Sequence, residues 1–259
     1  MLPYFSHDTF SLYHADCNEY LATLPDNSVD LIFADPPYNL SNGGFTCQNG
    51  KRVPVHKGAW DVSSGIEEDF NFHNAWITSC RRVLKDQGSI WISGTYHSIY
   101  ACGYALQRTG FHLLNDISWF KPNAPPNLSG RYFTASHETL IWARKSRDAK
   151  HTFNYDIIKN GSWKEDVMKR PERQMRSVWS IPSPRGNEKK RGKHPTQKPV
   201  ALLKRIILSS SKEGDLVLDP FCGSGTTGIV AHQYKRRFIG LDVDKQYLDL
   251  ARDRFLDTE

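Results

Sequence analysis

An apolar run, Val29–Ala34, leads straight into Asp35-Pro36-Pro37-Tyr38, and this tetrapeptide holds the residue types for one definite piece of chemistry. Two consecutive prolines fix the backbone and remove two N–H donors, so the loop presents carbonyl oxygens rigidly. A carboxylate (Asp35) beside the carbonyl of Pro36 can accept both hydrogens of an amino group. An amino group conjugated to a purine ring is a poor nucleophile because its lone pair is delocalised. Two acceptors draw the nitrogen toward tetrahedral geometry and expose the lone pair to a methyl donor. Tyr38 adds an aromatic face of the kind that receives a base taken out of the helix stack. For the tetrapeptide alone a plainer alternative stays open, a Pro-Pro turn that ends a strand with Asp35 as a solvated cap.

A second chemical loop lies near the other end. Leu216-Val217-Leu218-Asp219-Pro220 reads as a strand running into Phe221-Cys222-Gly223-Ser224-Gly225-Thr226-Thr227-Gly228, which opens a helix. Glycines there allow a tight turn and close approach of backbone to a ligand at the helix N-terminus. The next strand, Phe238–Leu241, ends in Asp242, about 20 residues after the first glycine, where a carboxylate can hold ribose hydroxyls. The literal G-x-G-x-x-G fits a dinucleotide as well as S-adenosylmethionine, and a glycine turn can also serve packing alone.

Both loops need strands to carry them. Ser11–Ala15, Val29–Ala34, Ser89–Ser93, Phe111–Trp119, Thr139–Ala143, Leu216–Leu218 and Arg237–Leu241 read as strands. Asn18–Leu24, Glu67–Leu84, Tyr96–Thr109, Pro199–Ser210, Gly225–Tyr234 and Lys245–Phe255 read as helices. This alternation predicts an α/β fold: a doubly wound, mostly parallel, Rossmann-like sheet with helices on both faces. Two stretches break the pattern. Asn39–Trp60, rich in Gly and Asn, reads as a mobile loop, and Ser146–Lys193 as an insertion, since loops this long are functional or disordered. Residues 1–145 and 194–259 are thus expected to form one core domain, with 146–193 inserted into it.

Charge supports a polyanionic partner. The 259 residues carry a net +6 with a pI of about 9.0. Fifteen basic and six acidic residues between Arg144 and Lys193 leave a local excess of +9, so the rest of the chain is slightly acidic. No apolar run approaches the ~20 residues needed to span a bilayer. Met1–Phe10 lacks a signal-peptide layout, so the expectation is a soluble protein without a membrane partner, retained where it is made. Cys17, Cys47, Cys80, Cys102 and Cys222 are odd in number and lack C-x-x-C spacing, which suits reduced packing thiols and no metal. His14, His73, His97 and His112 read as structural.

Taken together, the blocks resemble the β group of DNA adenine-N6 methyltransferases, and the chain is similar to their compact members of MboII and DpnA type. The resemblance covers residues 10 to 256 and rests on order: Asp35–Tyr38 first, the basic insertion next, then His194-Pro195-Thr196-Gln197-Lys198-Pro199, and Asp219–Thr227 last. It implies methyl transfer from S-adenosylmethionine to the exocyclic amino group of adenine, because Asp in the first position of the tetrapeptide accompanies adenine-N6 activity and Ser cytosine-N4. Asp35, Pro36, Pro37 and Tyr38 are then the catalytic loop. Phe221, Gly223, Ser224, Gly225 and Thr226, with Asp219 and Asp35, surround the methionine end of the cofactor, and Asp242 holds the ribose. Thr196, Lys198 and Pro199 line the same pocket, with Lys198 on the cofactor carboxylate, and Asp16 sits near the cofactor adenine. Trp60-Asp61 matches a Trp-Asp pair of the family, or else a core tryptophan with a helix-capping acid.

For nucleic acid, the resemblance implies contacts from Tyr38, Asn39, Trp119, Lys121 and Arg131 beside a flipped base. Aromatic and basic residues together suit stacking with phosphate contact, although an aromatic core edge is the alternative for this stretch. Arg170, Arg173, Arg176, Lys189, Lys190 and Arg191 in the insertion are expected to meet the duplex. The implied setting is a bacterial or phage cytoplasm, at the nucleoid, as a homodimer on double-stranded DNA, with single strands as an alternative and a restriction enzyme as genetic partner only. Competing functions are methylation of cytosine-N4 or of RNA, and a catalytically silent DNA-binding module. A dinucleotide-dependent reductase leaves Asp35–Tyr38 unexplained.

Overall fold

The computed structural model describes residues 1–39, 61–192 and 194–258, together with the backbone of two strands, Phe45–Gln48 and Lys51–Pro54. Trp60, Lys193 and most of the expected mobile loop lie outside the described residues.

In chain order the strands are β1 (Phe5–His7), β2 (Phe10–His14), β3 (Val29–Ala34), β4 (Phe45–Gln48), β5 (Lys51–Pro54), β6 (Leu84–Gly94), β7 (His112–Phe120), β8 (His137–Arg144), β9 (Val178–Ser180), β10 (Leu216–Asp219) and β11 (Arg237–Asp242). The helices are α1 (Cys17–Thr23), α2 (Ile66–Val83), α3 (Ile99–Arg108), α4 (Tyr155–Asn160), α5 (Val200–Ser210), α6 (Thr226–Gln233) and α7 (Lys245–Leu256). Nine strands form one sheet in the order β1-β2-β11-β10-β3-β6-β8-β7-β9, and β4 and β5 make a separate hairpin. The five central strands, β2, β11, β10, β3 and β6, are mutually parallel. β8 is antiparallel to both its neighbours, and β9 joins the edge parallel to β7.

Parallel strands are covered on both faces, so their residues are apolar on both sides of the pleat. In β3, Leu31 and Phe33 enter one core with α5, α6 and α7. Ile32 and Ala34 enter the other, with α1, α2 and α3. The sheet is therefore doubly wound, with one hydrophobic core per face. Cys17, Cys80, Cys102 and Cys222 are free and buried, as packing groups are. Among the described residues, no helix is long and apolar enough to cross a membrane.

The basic segment expected as an insertion packs against this core. β9 extends the sheet, and Trp179 and Ile181 join the core that contains α5. Arg205 of α5 reaches up to Asp166 at 2.7 Å, its guanidinium lying 5.1 Å from the Trp163 ring and 4.8 Å from Trp179. Asp166 also accepts the amides of Met168 and Ser180. One buried ion pair thus anchors the insertion.

Candidate functional site

Because the central strands are parallel, their carboxyl ends share one edge, where open α/β sheets place chemistry. That edge gathers Asp16 after β2, Asp35 after β3, Ser93 near the end of β6, Asp219 ending β10 and Asp242 ending β11. The antiparallel β8 contributes its start instead, Glu138, and β7 its end, followed by Lys121.

A cavity of about 350 Å³ lies on this edge between the Gly-rich loop and α2. Gly223 holds φ +48°, and a side chain there would meet His194 Nε2 at 2.9 Å, so only glycine lets the loop close. Asp242 accepts the amides of Gly223 and Asp244, each at 2.9 Å, which fixes the loop to β11. Asp16 caps α1 through the amide of Asn18 at 2.8 Å while facing the cavity. Asp35, Glu68 and Asp69 complete an unusually acidic lining, with Phe221 as its aromatic wall. Burial pushes Asp242 up to about 6 and Asp219 up to about 7. A cavity with this many carboxylates and an aromatic wall suits a cationic nucleoside, which S-adenosylmethionine is.

Beside the cavity lies a second, drier cluster. Lys198 Nζ donates to Asp35 Oδ2 at 2.5 Å and stands 3.6 Å from Glu138 Oε2. Lys121 Nζ pairs with Glu138 Oε1 at 3.0 Å. The Tyr38 hydroxyl donates to Asp35 and contacts Ser93 Oγ at 3.0 Å and Glu138 Oε2 at 3.1 Å. Asp61 Oδ1 accepts the Tyr38 amide at 2.9 Å and ties down the loop. Burial works against the charge on Glu138, but its two lysines outweigh burial and hold it at about 2. Asp35, which pairs with Lys198 and Tyr38 and faces Glu138, is held above its ordinary value by burial. Burial lowers Lys198, but the two carboxylates win and the ammonium is held above its usual range.

The structure brings Asp16, Asp35, Pro37, Asn39, Thr196, Phe221, Gly223 and Asp242 to the cavity. The structure places the remaining expected residues differently. Lys198 is not among the lining side chains; beside the cavity it pairs with Asp35 and stands near Glu138. Tyr38 is 3% exposed with Lys198 5.1 Å from its ring centre, so in this conformation it offers no open stacking face. Trp119 is 2% exposed and donates to the Ile181 carbonyl, making it the core edge that was the alternative. Lys121 is committed to Glu138 rather than free for phosphate. Ser224, Gly225 and Thr226 pack under α7, where Arg254 Nη1 donates to Thr226 Oγ1 at 3.0 Å and Gly225 meets Ala251. Asp219 braces the loop through the Phe221 amide and the Thr227 hydroxyl. Pro36 is buried, and Pro199 starts α5 away from the cavity.

Arg131, Arg170, Arg173 and Arg176 are exposed, as is Lys190, and Lys189 is half-buried. Arg191 is engaged by Asp257. Of the Trp-Asp pair, Asp61 holds the Asp35–Tyr38 loop and caps no helix through that bond. Glu68, Asp69, His194 and Tyr247 of the cavity were not expected as site residues, nor were Ser93 and Glu138. The signal for Glu138 was a carboxylate opening an otherwise apolar strand; that for Glu68 and Asp69 was an acidic first turn on α2.

A doubly wound sheet with an acidic cavity beside an Asp-Pro-Pro-Tyr loop is an arrangement that suits an S-adenosylmethionine-dependent methyltransferase, and the relatives of the chain are of that class. Residues 29–253 match the family model described as DNA methylase, that of N6 and N4 enzymes. The Type II methyltransferase M2.DpnII of Streptococcus pneumoniae is 49% identical over 97% of this chain and 91% of its own length. M2.MboI of Moraxella bovis is 46% identical over 98% and 90%. The crystal structure of the M1.HpyAVI–SAM complex superimposes with a TM-score of 0.68 at 29% identity, over 95% of this chain and 98% of that one. The chain belongs to the DNA methylase family, is a site-specific DNA methyltransferase and uses S-adenosylmethionine as its cofactor.

Proposed function

We propose that this chain methylates the N6 amino group of adenine in duplex DNA after drawing the base out of the stack. The observation that carries the reading is Asp35: an acceptor-only carboxylate at the end of β3, at the meeting point of the acidic cavity and the buried cluster. The cofactor supplies an electrophilic methyl group on a sulfonium. Asp35 and the Pro36 carbonyl accept the two amino hydrogens, which localises the nitrogen lone pair. Asp16, Asp242, Phe221 and the Gly223 backbone hold the nucleoside portion. Since Tyr38 is closed over the cluster, a base enters only when Tyr38 swings out to stack on it.

In this reading residues 146–193 are the target-recognition region, Arg131 and the exposed insertion arginines meet DNA, and Asn39 lies beside the extruded base. The chain works as a homodimer in a bacterial cytoplasm, at the nucleoid, and protects DNA from a restriction enzyme encoded with it. The test is to incubate the protein with labelled S-adenosylmethionine and duplex DNA, digest to nucleosides and identify the labelled one. N6-methyladenosine in DNA form is expected; label in N4-methylcytosine, or in RNA alone, overturns the reading. Light scattering at micromolar protein, with and without DNA, tests the dimer, and a monomeric mass in both refutes it.

A further inference from the structure

Glu138 is the one acid of the buried cluster that the amino-group chemistry leaves without a task. It comes from β8, far in sequence from Asp35 and Lys198, yet it shares two partners with Asp35. Lys198 Nζ sits between the two carboxylates, 2.5 Å from Asp35 and 3.6 Å from Glu138. The Tyr38 hydroxyl donates to Asp35 and lies 3.1 Å from Glu138. Lys121, 3.0 Å from the other Glu138 oxygen, keeps that acid ionised and in place.

A carboxylate locked onto one ammonium is a weak hydrogen-bond acceptor for anything else. A carboxylate that must share its ammonium keeps acceptor strength and can release the cation when a substrate hydrogen arrives. We propose that Glu138 is a positioning residue of the methyl-transfer site: by competing for Lys198 and the Tyr38 hydroxyl, it sets how freely Asp35 accepts hydrogen from the target amino group. The proposal rests on the amino-group reading above. It also gives Lys198 a role apart from the cofactor, as the counter-ion passed between Asp35 in the closed site and Glu138 when a base is bound.

The groups facing Asp35 fix the sign of the test. They are Lys198 before α5, Tyr38 on its own loop, Glu138 on β8 and Asp219 on β10, with Lys121 behind Glu138. Removing the Glu138 charge deletes a like charge near Asp35 and leaves Lys198 wholly to it, so Asp35 ionises more readily. Removing the Lys198 charge does the reverse, leaving Asp35 buried beside Glu138 without a cation. A loss of packing would not shift the two variants in opposite directions.

The experiment is the pH dependence of kcat at saturating S-adenosylmethionine and duplex DNA, for wild type, E138Q and K198M. E138Q should move the acid limb to lower pH by about 1 unit and lower the plateau roughly tenfold. K198M should move the limb to higher pH. If E138Q keeps the wild-type limb, or moves it in the same direction as K198M, the proposal is overturned. Should E138Q not fold, judged by calorimetric titration with S-adenosylmethionine, E138D carries the test: a smaller downward shift supports the proposal and an unmoved limb sinks it. Identifying the methylated nucleoside made by the wild type separates the two layers. No N6-methylated adenine means that the substrate reading has failed. That product with an unmoved E138Q limb means that only the Glu138 role has failed.

Discussion

At the scale of single residues, the same side-chain type takes opposite parts according to what surrounds it. Among the described residues Asp35 pairs with one cation, Lys198, which also stands 3.6 Å from Glu138, and in the proposed reading it gives up that partner to accept a substrate hydrogen. Asp35→Ala should reduce methyl transfer by at least roughly 10²–10³-fold, the usual cost of one preorganised electrostatic group. Cofactor affinity should change little, because Asp16, Asp242 and Phe221 remain. Near-normal single-turnover rates in the purified variant would refute the assignment. Asp242 is raised to about 6 by burial, so it titrates in the working range. In the proposed role its neutral form, favoured at lower pH, would hold ribose hydroxyls and a cationic ligand more weakly than the carboxylate that forms as pH rises. S-adenosylmethionine affinity should therefore climb as pH rises through about 6 and level off beyond 7. Calorimetric titrations without DNA at pH 5, 6, 7 and 8 measure this, and Asp242→Asn should flatten the curve. A flat wild-type curve would leave the ribose to another ligand.

At the scale of elements, the insertion is joined to the core by the Arg205–Asp166 pair, both partners almost wholly buried between Trp163 and Trp179. Truncating one partner of such a pair strands the other charge, at a cost of about 3–5 kcal/mol. Asp166→Ala should lose that much in urea unfolding, whereas the double change Asp166→Ala with Arg205→Met should recover a good part of it. Equal losses in both would mean that the pair acts through packing only. The central strands were legible in the sequence because two-sided burial writes an unbroken apolar run, as in Val29–Ala34. β1, the β4–β5 hairpin and β9 were not, since short strands outside the parallel core pair through backbone groups that leave little mark on side-chain pattern. Asp16, Asp35, Phe221, Gly223 and Asp242 were legible as site candidates because each sits at or just past the end of an apolar strand or in a glycine turn. Glu138, Ser93 and the true partners of Lys198 were hidden for a different reason. Their cluster is assembled from β3, β6, β8 and the segment before α5, and no local spacing records that meeting.

For the whole molecule, charge is divided in space: acids line the cavity, proposed above for the cofactor, and the basic excess lies in the segment after β8 that adds β9 beside β7. The segment after β7 adds exposed Arg131, Tyr132 and Phe133 to that side. DNA lying across it would bring phosphates to the insertion and a base to Asp35. Cationic side chains that neutralise phosphates release condensed counterions, so affinity for any duplex should fall steeply with salt, with a log–log slope of about 0.9 per neutralised phosphate. Lys189 and Lys190 together should therefore flatten the slope by roughly 2 when replaced by alanine, on all sequences alike. Arg191 should contribute less, because Asp257 already neutralises it and a phosphate must displace that partner. An arginine that reads a base edge behaves differently, costing ~1–3 kcal/mol on the preferred site alone. Arg170, Arg173, Arg176 and Arg185 are all exposed and are the ones to replace singly. Deleting the insertion is not a clean test, since it would strand Arg205 in the core. Alanine at the exposed positions keeps the Asp166 anchor intact. Duplex binding at several salt concentrations, on preferred and scrambled sites, then separates phosphate neutralisation from base reading. If all these variants kept wild-type slope and site preference while folded, recognition would have to come from residues 40–60, between the catalytic loop and Asp61.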